Sequence, residues 1–280
     1  MSVVLLSLCA AVAYGLSDFV GGMLTRRTSA WAVATASQVA ATILVIAFAS
    51  FTPTWPPINT LIWGAFGGVG SGAGNVLIYR GLGAGRMTVV APVSALAAAA
   101  LPVVVGILGG DRPGVLALVG VATALPAVWL VSGGGVSLKG TNLREVVNGL
   151  AAGLGFGVQF SALGQIPASA GLTPLALSQI VSVTTIVVAA LVVGGAWLPR
   201  ERYSRLGVIA GLLAGIATIA FQWATQAGML TIAGVLASLY PAVTVVLAAV
   251  GLRETIRGIQ GVGLALAAAA ILLIAVGVRQ

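Results

Sequence analysis

The chain has no histidine, one cysteine (Cys9) and few charged residues: 13 lysines and arginines and 5 aspartates and glutamates among 280 residues. Without histidine, histidine-based acid–base catalysis and haem ligation are excluded, and a single cysteine excludes an internal disulfide and a zinc cluster. At 59% hydrophobic and 6% charged residues, the polar side chains are too few to cover a soluble globule of this mass. The composition therefore predicts a membrane protein.

Apolar stretches fill almost the whole chain. A membrane-spanning helix needs about 20 mostly apolar residues, and we identify ten such stretches. They cover residues 2–23, 31–50, 58–79, 87–108 and 113–132 in the first half, and 146–166, 175–196, 206–227, 229–252 and 256–278 in the second. The first stretch lacks a basic N-terminal region and contains Asp18, so we interpret it as a retained helix rather than a cleaved signal peptide. The connections are too short to hold a soluble domain.

The second half of the chain echoes the first at an offset of about 143 residues. Residues 79–111 align without a gap on residues 222–254, which places Asp111 on Glu254. Each half has an odd number of stretches, so the second copy must enter the membrane from the opposite side. The expected fold is all-α: ten transmembrane helices in two inverted five-helix repeats, residues 1–140 and 141–280, around a central cavity.

The basic residues lie singly or in pairs at the ends of the stretches. This placement is typical of topology signals and interfacial anchors, and we expect no nucleic-acid partner. If the stretches alternate in direction, 11 of the 13 lysines and arginines lie on one side, and only Arg112 and Arg279 lie on the other. By the positive-inside rule that side is the cytoplasm. We therefore expect a multi-pass plasma-membrane protein with both termini outside.

Several motifs recur in the two halves. The pair Ser37-Gln38 in the second stretch returns as Ser178-Gln179 in the seventh, and acidic residues follow the fourth and ninth stretches. The ninth stretch also contains Leu239-Tyr240-Pro241, followed by Arg253-Glu254, whereas the first half has Ala98 in place of that proline. With ten stretches in two halves, this pattern resembles the EamA-type branch of the drug/metabolite transporter superfamily.

The resemblance implies a carrier that moves small metabolites, often outward, by alternating access around a cavity between the halves. It names no substrate, because the superfamily handles amino acids, nucleotide-linked and lipid-linked sugars, and drugs. Family likeness alone does not define the cargo.

Asp18 is the only acidic side chain well inside a predicted stretch. A carboxylate near the bilayer centre costs about 2.5 to 3.5 kcal/mol on insertion scales, and less near the edge. One interpretation is that Asp18 faces the cavity and binds a cationic or amine-bearing substrate, or takes up a proton during transport. The alternative is an interfacial aspartate that reaches water or pairs with Arg26 or Arg80.

Polar side chains form matching stripes on the third helix of each half. Residues four apart share a helical face, and the repeat aligns the two stripes. They consist of Ser71, Asn75 and Tyr79 in the first half and Thr218, Gln222 and Gln226 in the second. We expect them to line a shared cavity together with Tyr14, Gln159 and Tyr240; the alternative is hydrogen bonding between packed helices.

Other recurring features have a structural interpretation. Glycines at 149, 153 and 157, and again at 207, 211 and 215, form small-xxx-small ridges that let helices approach closely. Pro241 lies within a predicted span and is a candidate kink point. Asp111 and Glu254 occupy equivalent turns, where pairing with arginine or capping of a helix N-terminus is expected.

The sequence thus predicts a secondary active transporter that exports a small amphipathic metabolite or amino acid. It has no phosphate-binding Gly-x-x-x-x-Gly-Lys-Ser/Thr loop, so the drive would be a proton gradient or the solute's own gradient. It offers no base paired with a nucleophile, so we do not expect an enzyme, and we expect no cofactor. The alternative on the same fold is a flippase for a lipid-linked sugar or another lipid.

Overall fold

The computed structural model describes residues 1–51, 53–83, 87–132, 143–253 and 255–278, with backbone alone at 78–83, 87–92 and 143–145. Regular structure in these residues is helical throughout. The helices are α1 (Ser2–Thr25), α2 (Ala30–Phe51), α3 (Ile58–Gly83), α4 (Met87–Leu108), α5 (Val115–Val131), α6 (Leu143–Leu163), α7 (Thr173–Val193), α8 (Arg202–Arg205), α9 (Gly207–Ala227), α10 (Leu230–Ala237), α11 (Tyr240–Gly251) and α12 (Gly258–Gly277).

These helices coincide with the apolar stretches of the sequence. Helices α1 to α7, α9 and α12 each fall on one predicted stretch, and α10 and α11 divide the ninth. Within the described residues, seven helical segments are long and apolar enough to cross a membrane, with α10 and α11 counted as one segment. Helix α3, in which eight of 26 residues are glycine, is not among them. The chain is an all-α protein with several membrane-spanning helices.

The ninth predicted stretch is broken in its middle. Helix α10 ends at Ala237 and α11 begins at Tyr240. The cause is Pro241, whose ring in a continuous helix would clash with the carbonyl of Ala237, four residues earlier. At the end of α10 both the backbone N–H and the hydroxyl of Ser238 donate to the carbonyl of Gly234, at 3.0 and 2.7 Å. The expected kink is therefore present as a two-residue turn, Ser238 and Leu239, whose backbone angles stay close to helical.

The corresponding helix of the first half has no such interruption. The repeat alignment places Ala98 at the position of Pro241, and α4 continues past it. Alanine keeps its N–H and has no ring, so nothing at this position breaks the helix. The two halves therefore differ in their fourth helix.

Helix contacts follow the repeat. Helix α1 packs on α9, α10 and α11; α2 packs on α7 and α9; α3 packs on α6 and α7; α4 packs on α6 and α10; and α5 packs on α12. Exchanging α1 with α6, α2 with α7, α3 with α9, α4 with α10–α11, and α5 with α12 returns the same set of pairs. Most of these contacts join the first half of the chain to the second.

Two sets of glycines, spaced one turn apart, bring helix backbones together. They are Gly64, Gly68 and Gly72 on α3, which face α7, and Gly207, Gly211 and Gly215 on α9, which face α2. A Cβ at Gly68 would meet the carbonyl of Ser178, and one at Gly211 would meet the carbonyl of Ser37. Each glycine of α9 lies 143 positions after its counterpart on α3, and Ser178 lies 141 positions after Ser37. Equivalent residues thus make equivalent contacts.

Helices α5 and α12 show the same correspondence. A Cβ at Gly120 would meet Ile274, and one at Gly263 would meet Val131. Both the two glycines and their two partners are 143 positions apart. Tight packing was also expected at Gly153 and Gly157, and both lie against α4; Gly149 is buried.

The repeated Ser-Gln pairs meet where α2 crosses α7. The amide nitrogen of Gln38 donates to the amide oxygen of Gln179 at 3.2 Å. Gln38 and Gln179 occupy equivalent positions in the two halves. The bond therefore links the two halves through the same residue of each. The observed contact between these pairs is thus a hydrogen bond between helices.

The loops of the two halves are tied together at both ends of α2. At one end, which we call the Ser29 end, the Ser29 hydroxyl donates to the carbonyl of Ala196 at 2.8 Å. At the other, the Thr54 end, the Thr54 hydroxyl donates to the carbonyl of Ala170 at 2.7 Å. Because α7 runs from the Thr54 end to the Ser29 end, it is antiparallel to α2.

The Ser29 end is rich in arginine. The Arg27 guanidinium lies 5.2 Å from the ring centre of Tyr203 and donates to its hydroxyl at 3.1 Å. Beside it, the Thr28 hydroxyl donates to the Glu201 carboxylate at 2.7 Å. The loops that meet here, with the short helix α8, contain Arg26, Arg27, Arg200, Arg202 and Arg205.

At the Thr54 end, Asp111 joins the halves. One oxygen of its carboxylate accepts hydrogen bonds from the backbone N–H and the hydroxyl of Thr231, both at 2.8 Å. Thr231 lies in the first turn of α10, where N–H groups lack partners within the helix and a negative charge is favourable. This contact agrees with the structural role expected for Asp111; Glu254 lies outside the described residues.

We predict that Gly211→Ala destabilises the protein, because the added methyl group collides with the α2 backbone and must push two helices apart. Overpacking of this kind costs about 1 to 3 kcal/mol. Gly22→Ala is the matched control, because its methyl group would meet nothing within 4 Å and alanine favours helix. Thermal unfolding in detergent should show a lower Tm for Gly211→Ala only. Equal Tm values for the two variants would contradict the packing argument.

Candidate functional site

A cluster of aromatic and hydroxyl groups lies where α1, α6, α9 and α11 meet. The Tyr14 hydroxyl on α1 donates to the Thr218 hydroxyl on α9 at 3.1 Å. The Tyr14 ring centre is 5.9 Å from that of Phe160 on α6 and 6.3 Å from that of Tyr240 on α11. Phe160 in turn packs on Phe221, with ring centres 4.6 Å apart. Helices of both halves therefore build one site, which we call the aromatic cluster: Tyr14, Phe160, Thr218, Phe221 and Tyr240.

The local structure fixes the orientation of these side chains. Thr218 donates its own hydroxyl hydrogen to the carbonyl of Ala214 at 2.7 Å, so its oxygen is free to accept from Tyr14. Gly15, beside Tyr14, lies against the backbone of α11: a Cβ there would meet the carbonyl of Tyr240. The close approach at Gly15 brings the two tyrosines together. The break before Tyr240 places this side chain in the first turn of α11.

Asp18 lies on α1, one turn beyond Tyr14 on the same face. Its side chain is exposed. Among the residues that the structure describes, Asp18 makes no hydrogen bond and no ion pair. A pair between Asp18 and Arg26 is not among the contacts of the described residues, and the side chain of Arg80, the other partner considered, lies outside them.

Gln222 and Gln226 have a different position from the one expected. The Gln222 amide nitrogen donates to the carbonyls of Leu163 and Ile166, at 3.2 and 3.3 Å, and Gln226 donates to Ile166 at 3.5 Å. These carbonyls are at the C-terminus of α6, where they lack partners within the helix. Both side chains thus hold the end of α6 to α9. The Gln222 oxygen is buried and has no partner among the described atoms.

The first-half stripe does not join the aromatic cluster. The Asn75 amide nitrogen donates to the Ser71 carbonyl at 2.9 Å, within α3 itself. Ser71 and Gln159 are buried, and within the described residues the Gln159 side chain makes no hydrogen bond. The side chain of Tyr79 lies outside the described residues. Of the ten residues expected from sequence, Tyr14, Thr218 and Tyr240 are in contact, and Asp18 lies beside them.

Sequence reasoning did not single out Phe160 and Phe221. Both are buried members of apolar helices, where phenylalanine usually only packs. The one available signal was spacing, because Phe221 directly precedes Gln222 and Phe160 directly follows Gln159. A position next to a polar residue in the sequence does not reveal which face of the helix the ring occupies.

Two grooves on the outer faces are apolar. One has a volume of about 500 Å³ and lies between α4, α5 and α6, with Leu101, Trp129 and Leu154 in its wall. The other, about 420 Å³, lies along α7 and is lined by Val181, Thr184, Thr185, Val188 and Ala189. Neither contains a residue of the aromatic cluster. The described part of the chain also holds no group of three acidic, cysteine or histidine residues that could bind a metal ion.

No family model and no curated protein matches this sequence. Among solved structures, a chain described as "Crystal structure of protein" matches with a TM-score of 0.78 and 16% sequence identity. The match covers 99% of this chain and 98% of that chain, so the fold is shared along the whole length. At this identity the likeness shows the fold alone.

We predict that Gln222→Leu destabilises the protein by about 1 to 3 kcal/mol, because it removes a donor to two backbone carbonyls and leaves that of Ile166 with only the 3.5 Å bond from Gln226. Gln165→Leu is the control, since Gln165 is exposed in the same loop and surface changes usually stay within about 0.5 kcal/mol. Denaturant titration in mixed micelles measures both. If Gln222→Leu unfolds at the parental midpoint, the amide does not stabilise the end of α6.

Proposed function

We propose that this chain is a secondary active transporter of the plasma membrane, built from ten transmembrane helices in two inverted five-helix halves. In this proposal it belongs to the EamA-type branch of the drug/metabolite transporter superfamily. It exports a small amphipathic metabolite or amino acid by alternating access, driven by a proton gradient or by the solute's own gradient. It is not an enzyme and needs no cofactor.

The observation that carries the proposal is the exchange of equivalent contacts between the halves. Gly68 lies against α7 as Gly211 lies against α2, and Gly120 against α12 as Gly263 against α5. Repeats that pack on each other in this way can take two arrangements related by a pseudo-two-fold axis in the membrane plane, one open to each side of the membrane. This is the geometric requirement of alternating access.

The aromatic cluster supports the proposal by its position. It lies between α1 of the first half and α6, α9 and α11 of the second, beside the break before Tyr240. Transporters commonly bind substrate near the bilayer midplane, at the interface of their repeats and beside a discontinuous helix. Tyr14, Asp18 and Tyr240 are therefore the proposed substrate-binding residues, with Thr218 positioning the Tyr14 ring.

The ties at the two ends of α2 supply the gates. Ser29 bonds to Ala196 at one end and Thr54 to Ala170 at the other, and each bond joins the two halves. For the cluster to reach one side of the membrane, the tie on that side must break while the other holds. The two bonds lie at opposite ends of α2, so one can break while the other holds.

A flippase is the second candidate. The outer groove between α4, α5 and α6 is about 500 Å³, wholly apolar in its lining, and open to the outside of the bundle. An acyl or prenyl chain would fit there while its polar headgroup crossed between the halves. Activity on a reconstituted lipid substrate, and none on water-soluble solutes, would favour this candidate.

We predict that both termini and the Thr54 end face the outside of the cell, because the arginine-rich Ser29 end is retained in the cytoplasm. In a Cys9→Ala background, a membrane-impermeant maleimide should label Trp55→Cys in intact cells, since Trp55 is 99% exposed. Arg200→Cys should be labelled only after permeabilisation. The reverse pattern would contradict the proposed orientation.

We predict that a disulfide between Thr54→Cys and Thr173→Cys stops transport, because it locks the halves at one end. The two hydroxyl oxygens are 3.2 Å apart, within the reach of a disulfide once both are cysteine. Purified protein without Cys9 would be placed in liposomes loaded with a metabolite mixture, and saturable efflux would be followed by mass spectrometry.

Oxidation should stop the efflux and dithiothreitol should restore it, while single Thr54→Cys stays active under both conditions. Equal efflux from the oxidised and reduced double variant would show that this end does not move. Efflux that never saturates would indicate a channel instead of a carrier.

A further inference from the structure

We infer that the site formed by Asp18, Tyr14 and Tyr240 binds organic cations: molecules with one ammonium group and an apolar body. This inference rests on the proposed function, since it names the chemical class of the transported solute.

The first ground is that Asp18 has no partner among the residues that the structure describes. Within the described candidate spans it is the only acidic residue, it is exposed, and no described donor or cation contacts it. A structural aspartate in a membrane span is normally paired or hydrogen-bonded, and an ionisable residue without such a partner marks a substrate or ion pathway. The missing partner is then a cation that arrives with the ligand.

The second ground is the aromatic surface beside that charge. Tyr14 and Tyr240 are both half-buried, so part of each ring remains accessible, and their ring planes are inclined by 61°. The faces of aromatic rings attract ammonium groups within about 6 Å, and rings set at an angle form the cages that recognise quaternary ammonium compounds. The Tyr14 ring cannot rotate away easily, because its hydroxyl is held by Thr218.

The third ground is the near absence of positive charge on the four helices that form the site. Helices α1, α9 and α11 contain no lysine or arginine, and α6 contains only Arg144 in its first turn. Arg144 is 16 residues before Phe160, about 24 Å along the helix. An anionic group bound here would be buried without a counter-charge, which is costly. The arrangement thus favours a monocation over an anion or a zwitterion.

The test uses benzyltrimethylammonium as the probe, because it keeps its charge at every pH and has one aromatic body. Benzenesulfonate, of similar size and opposite charge, is the comparison ligand. Isothermal titration calorimetry of the purified protein in detergent should show binding of the cation and none of the anion. Binding of the anion at equal affinity would overturn the inference.

Variants then assign the binding to these residues. Asp18→Asn should weaken cation binding at least tenfold, Asp18→Glu should stay within threefold of the parent, and Tyr240→Leu should weaken it about threefold to tenfold. Phe66→Leu, an exposed ring on α3 far from Asp18 along the chain, is the matched aromatic control and should change nothing. Unchanged affinity in Asp18→Asn would overturn the inference.

Thermal unfolding separates binding from folding. Removal of an unpaired carboxylate from an apolar helix should leave the Tm of Asp18→Asn equal to or above that of the parent, whereas loss of a structural contact would lower it. A lower Tm combined with parental affinity would assign Asp18 a structural role and overturn the inference.

Transport measurements distinguish this inference from the proposed function. If liposomes show saturable transport of neutral or anionic solutes that Asp18→Asn leaves intact, the transporter stands and the cation site is wrong. If the cation binds through Asp18 and no solute crosses the membrane, the cation site stands and the proposed transport is wrong.

Discussion

Close backbone approach at glycine is the interaction on which the rest of this structure depends. Helices in lipid gain little by burying apolar side chains against one another, so packing and small residues hold them together. Here the glycines of α3 and α9 let α7 and α2 approach until backbone meets backbone, and Gly15 does the same for α1 and α11. The positions of Tyr14 and Tyr240, and of the ties at both ends of α2, all follow from these crossings.

Much of the fold could be predicted because its signals are local. Apolar runs fixed the helices to within about four residues, and the repeat offset of 143 returns as the spacing between equivalent glycine contacts. Pro241 was predicted as a kink point, and the structure shows a two-residue turn before it, whereas Pro126 lies inside the continuous helix α5. Length and composition alone carry no information on which proline interrupts a helix.

The site was harder to predict because it depends on which way side chains face. Gln222 follows the helical spacing of a cavity stripe, yet the end of α6 comes close enough for its carbonyls to take the amide. Phe160 looked like ordinary packing, although it lies between Tyr14 and Phe221. Asp18 was recognised from the sequence because a charged side chain in an apolar stretch raises the free energy of membrane insertion. That cost depends on the residue type and its place in the stretch, and both are visible in the sequence.

The unequal fourth helices have a consequence for energetics. In a carrier made of two identical halves, exchanging the halves converts the inward-open state into the outward-open one, so the two states are degenerate. The halves of this chain differ at most aligned positions, and Pro241 against Ala98 is a difference that coincides with a change in a helix, because α10 and α11 are separated by a turn that α4 lacks at the aligned position. In the proposed carrier, the inward-open and outward-open states therefore differ in free energy before any gradient or ligand acts on them.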